Sequence, residues 1–477
     1  MTAKPFRPTR ITAAVLALGL GACAGLPQPA DKPGMKTGAE YATAQSFAAP
    51  LAQWPTDAWW RAYGDPQLDR LIDEALAGAP SIAVAQARLQ RAQAQARIAD
   101  AAIGPQVSAN ASATQQKQSY NYLSPRAMTP QGWNDYGRAT LDLSWEIDFW
   151  GRNRAALAAA TSEAEAARAD AAQARLALST AIASAYAELA REFAALDTAQ
   201  AALAVRAKTA DLFRRRFDNG LETMGGVRQV ESRQAAAEAE VLSVQEQIAL
   251  QKNALAALLG AGPDRGLAIE RPTVSLSRGF GLPARLDADL LGRRPDIAAA
   301  RLRAEAGAKR IDQARAEFYP NVNLSAFIGV QSLGLDNLAK NGSSVGSVGP
   351  AVSLPIFEGG RLRAQFRGRE AEYAEAVANY NDAVVKALQD VADAATSQKA
   401  LGGQLARSGE AVDAARESWR IQNNRYEGGL STYLDVLSAE DTLLSSLRSL
   451  TDLQSRAFTL DVALVRALGG GYETKSN

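Results

Sequence analysis

An alternating stretch of apolar and polar residues, 139 to 149, leads directly into a long alanine-rich segment. Successive side chains of a β-strand point to opposite faces, so this stretch predicts a strand with one apolar face. The apolar side chains of that face are Leu141, Leu143, Trp145, Ile147 and Phe149. From Arg152 to Asn219 the chain contains neither glycine nor proline. This predicts an unbroken helix on the order of 100 Å long, which exceeds an ordinary globular core.

The same succession of elements occurs twice along the chain. Pro105 and Pro320 lie 215 positions apart, and Gly151 and Gly360 lie 209 apart. Because chance similarity does not keep such intervals, we predict a tandem duplication in which each repeat is a helix, a β-hairpin and a long helical hairpin. The predicted divisions are 80–260 for the first repeat, with its β-hairpin at 105–149, and 295–468 for the second, with its β-hairpin at 320–357.

The second β-hairpin has the same alternation as the first. A strand is predicted at its start, a loop in the Gly/Ser-rich segment at 341–349, and a further strand at 350–357. The apolar side chains of the first of these strands are Val322, Leu324, Ala326, Ile328 and Val330.

Each long helix ends in a short turn signal, RFDNGLET at 216–223 and RYEGGLST at 425–432. Glycine adopts the left-handed conformation that ends a helix, and threonine caps the start of the next one. The residues concerned are Gly220, Thr223, Gly429 and Thr432. Returning helices are predicted at 227–258 and 433–468. The apolar stripe of the second one comprises Leu437, Leu444, Leu447, Leu450, Phe458, Val462 and Val465.

The four alternating strands indicate a shared assembly. An apolar strand face is more often packed on a soluble core, but alternating strands of about ten residues in an exported chain also fit a membrane β-barrel. Four strands cannot close a barrel, since the smallest bacterial ones need about eight. The barrel would therefore be shared between chains, as would a wall of the alanine-rich helices. A rod or adhesin without a pore, built from the same helical hairpins, is the alternative.

Composition argues against an enzyme. The chain of 477 residues contains no histidine, which removes the commonest general base and metal ligand. Its formal net charge of +1 gives no overall field that would attract nucleic acid. A carboxylate pair such as Asp287 with Asp289 has no nucleophile, phosphate loop or metal-ligand spacing beside it. We expect no catalytic residues, no bound metal and no cofactor.

The N-terminal segment has the pattern of an export signal. Basic residues precede an apolar run that is too short to span a bilayer but suits a signal peptide, predicted at 1–22. The run ends in LGAC, which places the only cysteine, Cys23, where a bacterial lipobox has its lipid-modified residue. An ordinary signal peptide with an incidental cysteine is the alternative. Lipid attached to Cys23 would form a stable membrane anchor. The next residue is Ala24 rather than aspartate, which resembles the sorting signal of outer-membrane rather than inner-membrane lipoproteins.

Several motifs together resemble the TolC family of outer-membrane efflux ducts, in particular its lipoprotein branch of the NodT and OprM type. They are WW at 59–60 with DPQLDRLIDEAL, RRPDIAAARLRAEA from Arg293, FYPNVNLSA from Phe318, VSLPIFEGGRLR, and NRYEGGLSTYLDVLSAE from Asn424. The resemblance implies a mainly α trimer with a membrane β-barrel. Four strands per chain would contribute to a shared 12-stranded barrel, above a long periplasmic α-helical barrel. The equatorial domain would come from 23–79, 261–294 and the C-terminal tail 469–477.

The resemblance also implies passive transport, in which the protein catalyses no reaction. A duct in the outer membrane would passively conduct drugs or other small molecules, which an inner-membrane pump delivers. Its implied partners are two further copies of the chain, a periplasmic membrane-fusion adaptor, a pump of the RND class and outer-membrane lipid.

In this family the hairpin tips dock the adaptor and also close the duct. The docking positions map to Gly220, Leu221, Thr223, Gly429, Leu430 and Thr432. The closing latch of Tyr, Arg and Asp maps to Tyr426 and Asp435, and three copies of Asp435 would form a carboxylate ring that favours cations and raises its own pKa. The latch is incomplete, because its other positions hold Gly226, Ser431 and Ser438. Nearby charges that would replace them are Glu222, Arg228 and Glu231.

Overall fold

The computed structural model describes residues 31, 33–121, 125–274, 281–283 and 286–473. The helices are α1 (Pro66–Gly78), α2 (Pro80–Ala101), α3 (Arg152–Asp218), α4 (Met224–Leu258), α5 (Asp264–Leu267), α6 (Leu286–Arg293), α7 (Pro295–Ala316), α8 (Arg361–Glu427) and α9 (Tyr433–Ala467). The strands are β1 (Gln106–Gln116), β2 (Asn134–Glu146), β3 (Asn321–Leu333) and β4 (Ser344–Ser353). Cys23 and the predicted signal segment lie outside the described residues.

The helix lengths confirm the duplication. Both long helices, α3 and α8, have 67 residues, and both returning helices, α4 and α9, have 35. We refer to α3 with α4 as the first hairpin and to α8 with α9 as the second hairpin. Within the described ranges, none of the helices combines the length and the apolar character needed to cross a bilayer.

The chain divides into two compact units. Among the described residues, the sheet unit comprises those within Met1–Met35, Leu89–Ala166 and Ala300–Tyr380, and the helical unit comprises those within Lys36–Arg88, Ala167–Ala299 and Asn381–Asn477.

The sheet unit contains one antiparallel sheet in the order β1-β2-β3-β4. Directly opposite residues share a face, and Leu141 lies opposite both Ala109 and Ile328. The apolar face predicted from the alternation is therefore continuous across the sheet, and many of its larger side chains are exposed in the single chain. These include Val107, Leu141, Trp145, Ile328, Val348 and Val352.

The other face of the sheet is largely polar. The carboxylate of Asp142 accepts a hydrogen bond from Asn110 Nδ2 (2.9 Å), which joins β1 to β2, and a second from Thr140 Oγ1 (2.8 Å) of its own strand. The guanidinium of Arg138 lies 5.0 Å from the ring centre of Phe327 on β3. The sheet thus has one face suited to lipid and one suited to water.

The prediction that β2 extends to Phe149 is wrong, because the strand ends at Glu146. The Ile147 N–H still donates to the Val322 carbonyl (2.9 Å), but the Phe149 N–H turns back to the Ile147 carbonyl (2.9 Å). The Asp148 carboxylate then accepts from the Arg154 N–H (2.9 Å) in the first turn of α3. The strand β2 therefore ends where the chain turns into α3, although the sequence alternation alone would extend the strand to Phe149.

The prediction of a loop over 341–349 is also wrong for most of its length, because β4 begins at Ser344. Its ladder with β3 runs without a break from Ser344 opposite Val330 to Ser353 opposite Asn321. Glycine and serine are poor strand formers, but cross-strand pairing decides the outcome in a sheet.

The helical unit has its main core where α1 and the segment before it pack on α3, α4 and α9. Tyr63 packs on Phe458 with ring centres 4.5 Å apart and donates its hydroxyl to Asp461 (2.6 Å). Asp65 caps α1 and accepts from the Tyr186 hydroxyl (2.8 Å) and the Thr273 N–H (2.7 Å). The largest fully buried side chains of this core are Trp59, Tyr63, Leu68, Leu71, Ile72, Ile182, Tyr186, Leu189, Leu255 and Ile269. The segments around 59–75 and 269–274 therefore pack on the middle of α3 and on α4 and α9.

Gly329 permits the close approach of β3 to β2. A Cβ at this position would lie 2.1 Å from the Ala139 carbonyl oxygen, whereas a Cβ at Gly349 on β4 would have no atom within 4 Å. We predict that Gly329→Ala lowers the free energy of unfolding by about 1–3 kcal/mol, as overpacking does, and that the control Gly349→Ala leaves it nearly unchanged. Thermal unfolding of the detergent-purified variants checks this. Equal unfolding temperatures would contradict the assigned register.

Candidate functional site at the hairpin tips

The two tips of the helical hairpins have the same backbone geometry. At the first tip, the Leu221 N–H donates to the Arg216 carbonyl (2.8 Å) and the Gly220 N–H to the Phe217 carbonyl (2.9 Å). At the second tip, the Leu430 N–H donates to the Arg425 carbonyl (2.8 Å) and the Gly429 N–H to the Tyr426 carbonyl (3.0 Å). This is the Schellman pattern, in which glycine takes a positive φ, 69° at Gly220 and 72° at Gly429. The predicted glycine caps are confirmed.

Both returning helices begin at a threonine cap, and the two caps differ in the hydrogen bonds that they form. Thr223 Oγ1 accepts from the Gly226 N–H (3.1 Å). At the second tip, the Asp435 carboxylate accepts from both the N–H (2.9 Å) and the hydroxyl (2.8 Å) of Thr432, which completes a capping box. These bonds hold the pKa of Asp435 below its ordinary value, so the group stays charged at neutral pH. In the single chain, this direction is opposite to the one expected for a ring of like charges.

An aromatic cluster packs the two tips against each other inside the helical unit. The Tyr433 ring lies 4.5 Å from the Phe213 ring and 5.4 Å from the Tyr426 ring, measured between centroids. Ala210, Val227 and Val230 complete the buried part of this cluster. Residues from α3, α4, α8 and α9 therefore meet in one apolar cluster, and sequence reasoning had singled out only Tyr426 among them.

Within the part of the chain that the structure describes, two polar atoms at this cluster are buried without a hydrogen-bond partner. They are the hydroxyl of Tyr426 and Nε of Arg216. The guanidinium of Arg216 lies 5.5 Å from the Tyr426 ring centre, which is a cation–π distance. Burial raises the pKa of Tyr426 above its ordinary value.

Both tips expose an apolar side chain directly after the glycine. Leu221 is 67% exposed and Leu430 is 73% exposed. Met224 and Leu434, one turn further on, are also exposed. The predicted docking positions therefore present a small apolar surface at each tip, held by the rigid glycine turn.

The charges considered as replacements for the latch act within the first hairpin. Glu231 pairs with Arg228 of its own helix (2.8 Å) and with Arg214 of α3 (3.0 Å). Glu222 accepts from the Thr223 N–H (2.9 Å). In these contacts the three residues do not join the first hairpin to the second.

The charged contacts that do join the hairpins near the tips were missed from sequence. Arg206 on α3 and Arg233 on α4 pair with Glu440 and Asp441 on α9. The sequence does contain a pattern that indicates these contacts, because Leu437, Glu440 and Leu444 follow the 3- and 4-residue spacing of a buried stripe. A carboxylate at a stripe position indicates a buried charged contact.

The architecture defines a class of protein before any comparison is made. An amphipathic four-stranded sheet and duplicated helical hairpins with apolar tips are typical of an outer-membrane channel that extends into the periplasm. The model of the outer membrane efflux protein family matches residues 71–261 and 287–470. The chain belongs to the outer membrane efflux protein family.

Individual relatives agree with this membership. The chain is 34% identical over 428 residues to the multidrug resistance outer membrane protein MdtP of Escherichia coli O6:H1, covering 88% of this chain and 87% of MdtP. It is 44% identical over 326 residues to the fusaric acid resistance protein FusA of Burkholderia cepacia, covering 67% of this chain but 61% of FusA. The crystal structure of the outer membrane protein VceC of Vibrio cholerae matches with a TM-score of 0.84 and 52% identity, covering 88% of this chain and all of that one.

The family and its solved members identify the chain as an efflux channel of the outer membrane and not an enzyme. The resemblance inferred from the motifs is thereby confirmed, together with the mainly helical fold and the repeat.

Proposed function

We propose that three copies of this chain form the exit duct of a tripartite efflux system. The observation that supports this most directly is the sheet, which has an exposed apolar face and, within the described residues, pairs β1 and β4 on one side only. In lipid, every backbone N–H and C=O needs a partner, so an open sheet edge has to be closed by another strand. The duct then passes small molecules that a pump delivers, without a catalytic step.

Strand number and length both suit a threefold assembly. The strands have 10 to 13 residues, close to the nine to eleven that a tilted membrane strand needs. A barrel needs at least about eight strands, which one copy cannot supply. Three copies supply twelve, with β4 of one copy beside β1 of the next.

We further propose that the tips dock a periplasmic adaptor, which links the duct to an inner-membrane pump of the RND class. Two features of the tips support docking. The exposed leucines lie on a backbone fixed by the Schellman turns, and removing apolar surface from water favours contact. The docking surface comprises Gly220, Leu221, Thr223, Gly429, Leu430 and Thr432. The names of FusA and MdtP, which refer to fusaric acid and multidrug resistance, suggest drugs or other small organic molecules as cargo.

Placing a carboxylate on the docking surface tests this proposal. We predict that Leu221→Asp with Leu430→Asp abolishes efflux-dependent drug resistance in a host that supplies the adaptor and pump, while the channel is still assembled. The control is Leu267→Asp, because Leu267 is 77% exposed and belongs to α5 rather than to a tip. Drug susceptibility and co-purification of the adaptor are measured. Full resistance in the double variant would contradict docking at the tips.

We also propose that Tyr426 and Asp435 belong to the gate. Asp435 is exposed to solvent, although its carboxylate accepts hydrogen bonds from Thr432, and it remains charged. Three copies near a common axis would therefore form a cation-selective ring. Tyr426 packs in the cluster that keeps the two tips together.

The gate proposal predicts a change of ion selectivity. Asp435→Asn removes the charge but keeps an oxygen that can accept from the Thr432 N–H in the capping box. We expect lower cation selectivity in planar bilayers, whereas Asp413→Asn, at an exposed position on α8, leaves selectivity unchanged. Selectivity is read from the reversal potential in a salt gradient. An unchanged reversal potential for Asp435→Asn would exclude a ring at this position.

Finally, we propose that the mature chain carries covalent lipid on Cys23, in addition to its barrel. The support is the lipobox pattern in the sequence, in which the only cysteine follows small residues. We predict that cells incorporate labelled palmitate into the wild-type protein but not into Cys23→Ser. Label in the variant would place the lipid elsewhere, and an unlabelled wild type would indicate an ordinary signal peptide.

A further inference from the structure

A cavity of about 390 Å³ lies in the sheet unit, where the strands meet the long helices. Its walls come from the end of β2, the first turns of α3 and α8, and the segment between α7 and β3. Its volume is in the range of cavities that hold small organic molecules. We call it the junction cavity. The residues proposed for docking, gating and lipid attachment lie elsewhere in the chain, so none of those roles uses it.

The junction cavity lies on the polar face of the sheet. Glu146 follows Asp142 by four residues on β2, and side chains an even number of residues apart share a face of a strand. Asn323 lies opposite Glu146, so Asn321, two residues away on β3, belongs to the same face. In a barrel whose apolar face meets lipid, the polar face lines the lumen. A molecule inside the duct would therefore have access to this cavity.

The cavity contains one carboxylate more than its ion pairs use. Three of its four carboxylates each have an arginine partner. These pairs are Glu146 with Arg152, Asp148 with Arg154, and Glu358 with Arg361. The fourth carboxylate belongs to Glu317, which is partly buried and forms no ion pair or side-chain hydrogen bond with any residue that the structure describes. The unpaired charge of the cavity is thus negative, which favours a cation.

A neutral acceptor in the same cavity also lacks a donor. Oδ1 of Asn321 is buried and accepts no hydrogen bond from the described part of the chain. A buried acceptor without a partner is unfavourable, so a ligand that donates to it would remove this cost. Glu317 and Asn321 stand four residues apart in one short segment. The segment therefore offers both a charge and an acceptor to a ligand with N–H donors.

An aromatic wall completes the cavity. The rings of Trp150 and Tyr319 are stacked, with centroids 4.7 Å apart and an angle of 16° between the planes. Trp150 Nε1 donates to the Pro320 carbonyl (2.8 Å), which fixes the indole in place, yet Trp150 remains 52% exposed. The face of an indole attracts cations and offers apolar surface to a planar ring.

We propose that the junction cavity binds organic cations, in particular protonated amines that carry an aromatic ring. The ammonium group pairs with Glu317 and donates to Asn321 Oδ1, and the ring packs on Trp150. An organic anion fits less well, because both arginines of the lining already have a carboxylate partner. A metal ion also fits less well, because the described ranges contain no group of three histidine, cysteine or acidic residues placed to hold one.

The site would hold cationic cargo weakly on its way along the lumen. A conducting pore needs sites that are favourable enough to be entered and weak enough to be left, and a cavity that is open to the lumen meets this need. The role in transport rests on the proposed duct, whereas binding is a property of the single chain.

Binding is tested on the full-length protein in a mild non-ionic detergent. The probe is proflavine, a planar fluorescent cation at neutral pH, which is titrated with protein. We expect Glu317→Gln to weaken binding by about tenfold or more, because a charge-assisted contact is lost. The control is Asp312→Asn, which removes an exposed carboxylate of α7 outside the cavity and should bind proflavine like the wild type.

The ligand chemistry is tested by displacing proflavine from the wild type, which requires no variant. Benzylamine should displace the probe, whereas benzyl alcohol and benzoate, which carry the same ring without the positive charge, should not. Mg²⁺ at matched ionic strength should not displace it either. Displacement by benzyl alcohol or by Mg²⁺ as effective as by benzylamine would overturn the recognition of organic cations.

The position of the site on the cargo path is tested with trimers in planar bilayers. Proflavine should lower the mean current of the wild type more than that of Glu317→Gln. An equal effect on both proteins would overturn the transport role of the cavity.

The outcomes separate this inference from the proposed duct. If the trimers conduct, but proflavine binds the wild type and Glu317→Gln equally, the cation site is wrong and the duct stands. If binding depends on Glu317, but neither trimers nor currents are found, the duct is wrong and the cation site stands.

Discussion

The constraint on which the rest of this structure depends is the hydrogen bonding of strand edges in lipid. A bilayer offers no partner to an exposed backbone N–H or C=O, so a sheet that enters it has to close on itself. The four strands of this chain form an open sheet whose apolar face is exposed. A closed barrel would therefore require further copies, and this requirement is the physical basis of the proposed trimeric duct.

The helical hairpins depend on a different constraint, which is the close packing of alanine-rich helices. Alanine-rich helices approach one another closely, but they bury little apolar surface per residue and so have little to hold them in one arrangement. Near the tips, the structure adds specific contacts to this background. An aromatic cluster joins the tips, and Arg206 and Arg233 bind Glu440 and Asp441 just above it. Near the tips, the two hairpins are thus joined by a few specific side chains.

Sequence patterns predicted the elements that depend on local rules. The run free of glycine and proline predicted α3, the duplication predicted α8, and the repeated glycine and threonine predicted both tip turns. The errors arose where tertiary pairing overrides local preference, since Ser344 enters the ladder despite its Gly/Ser-rich surroundings and Phe149 leaves it for a helix start. The charged contacts of Arg206 and Arg233 with α9 escaped notice because their partners are more than 200 positions away in the sequence. Only the placement of Glu440 in the apolar stripe of α9 indicated them.

The most direct test of this account is the number of chains in the membrane particle. Native mass spectrometry of the full-length protein, released from mild detergent, counts the copies without assuming a shape. The account predicts three chains per particle, which would supply twelve strands. A monomer or a dimer as the largest stable species would contradict it, because four or eight strands would not make the shared twelve-stranded barrel.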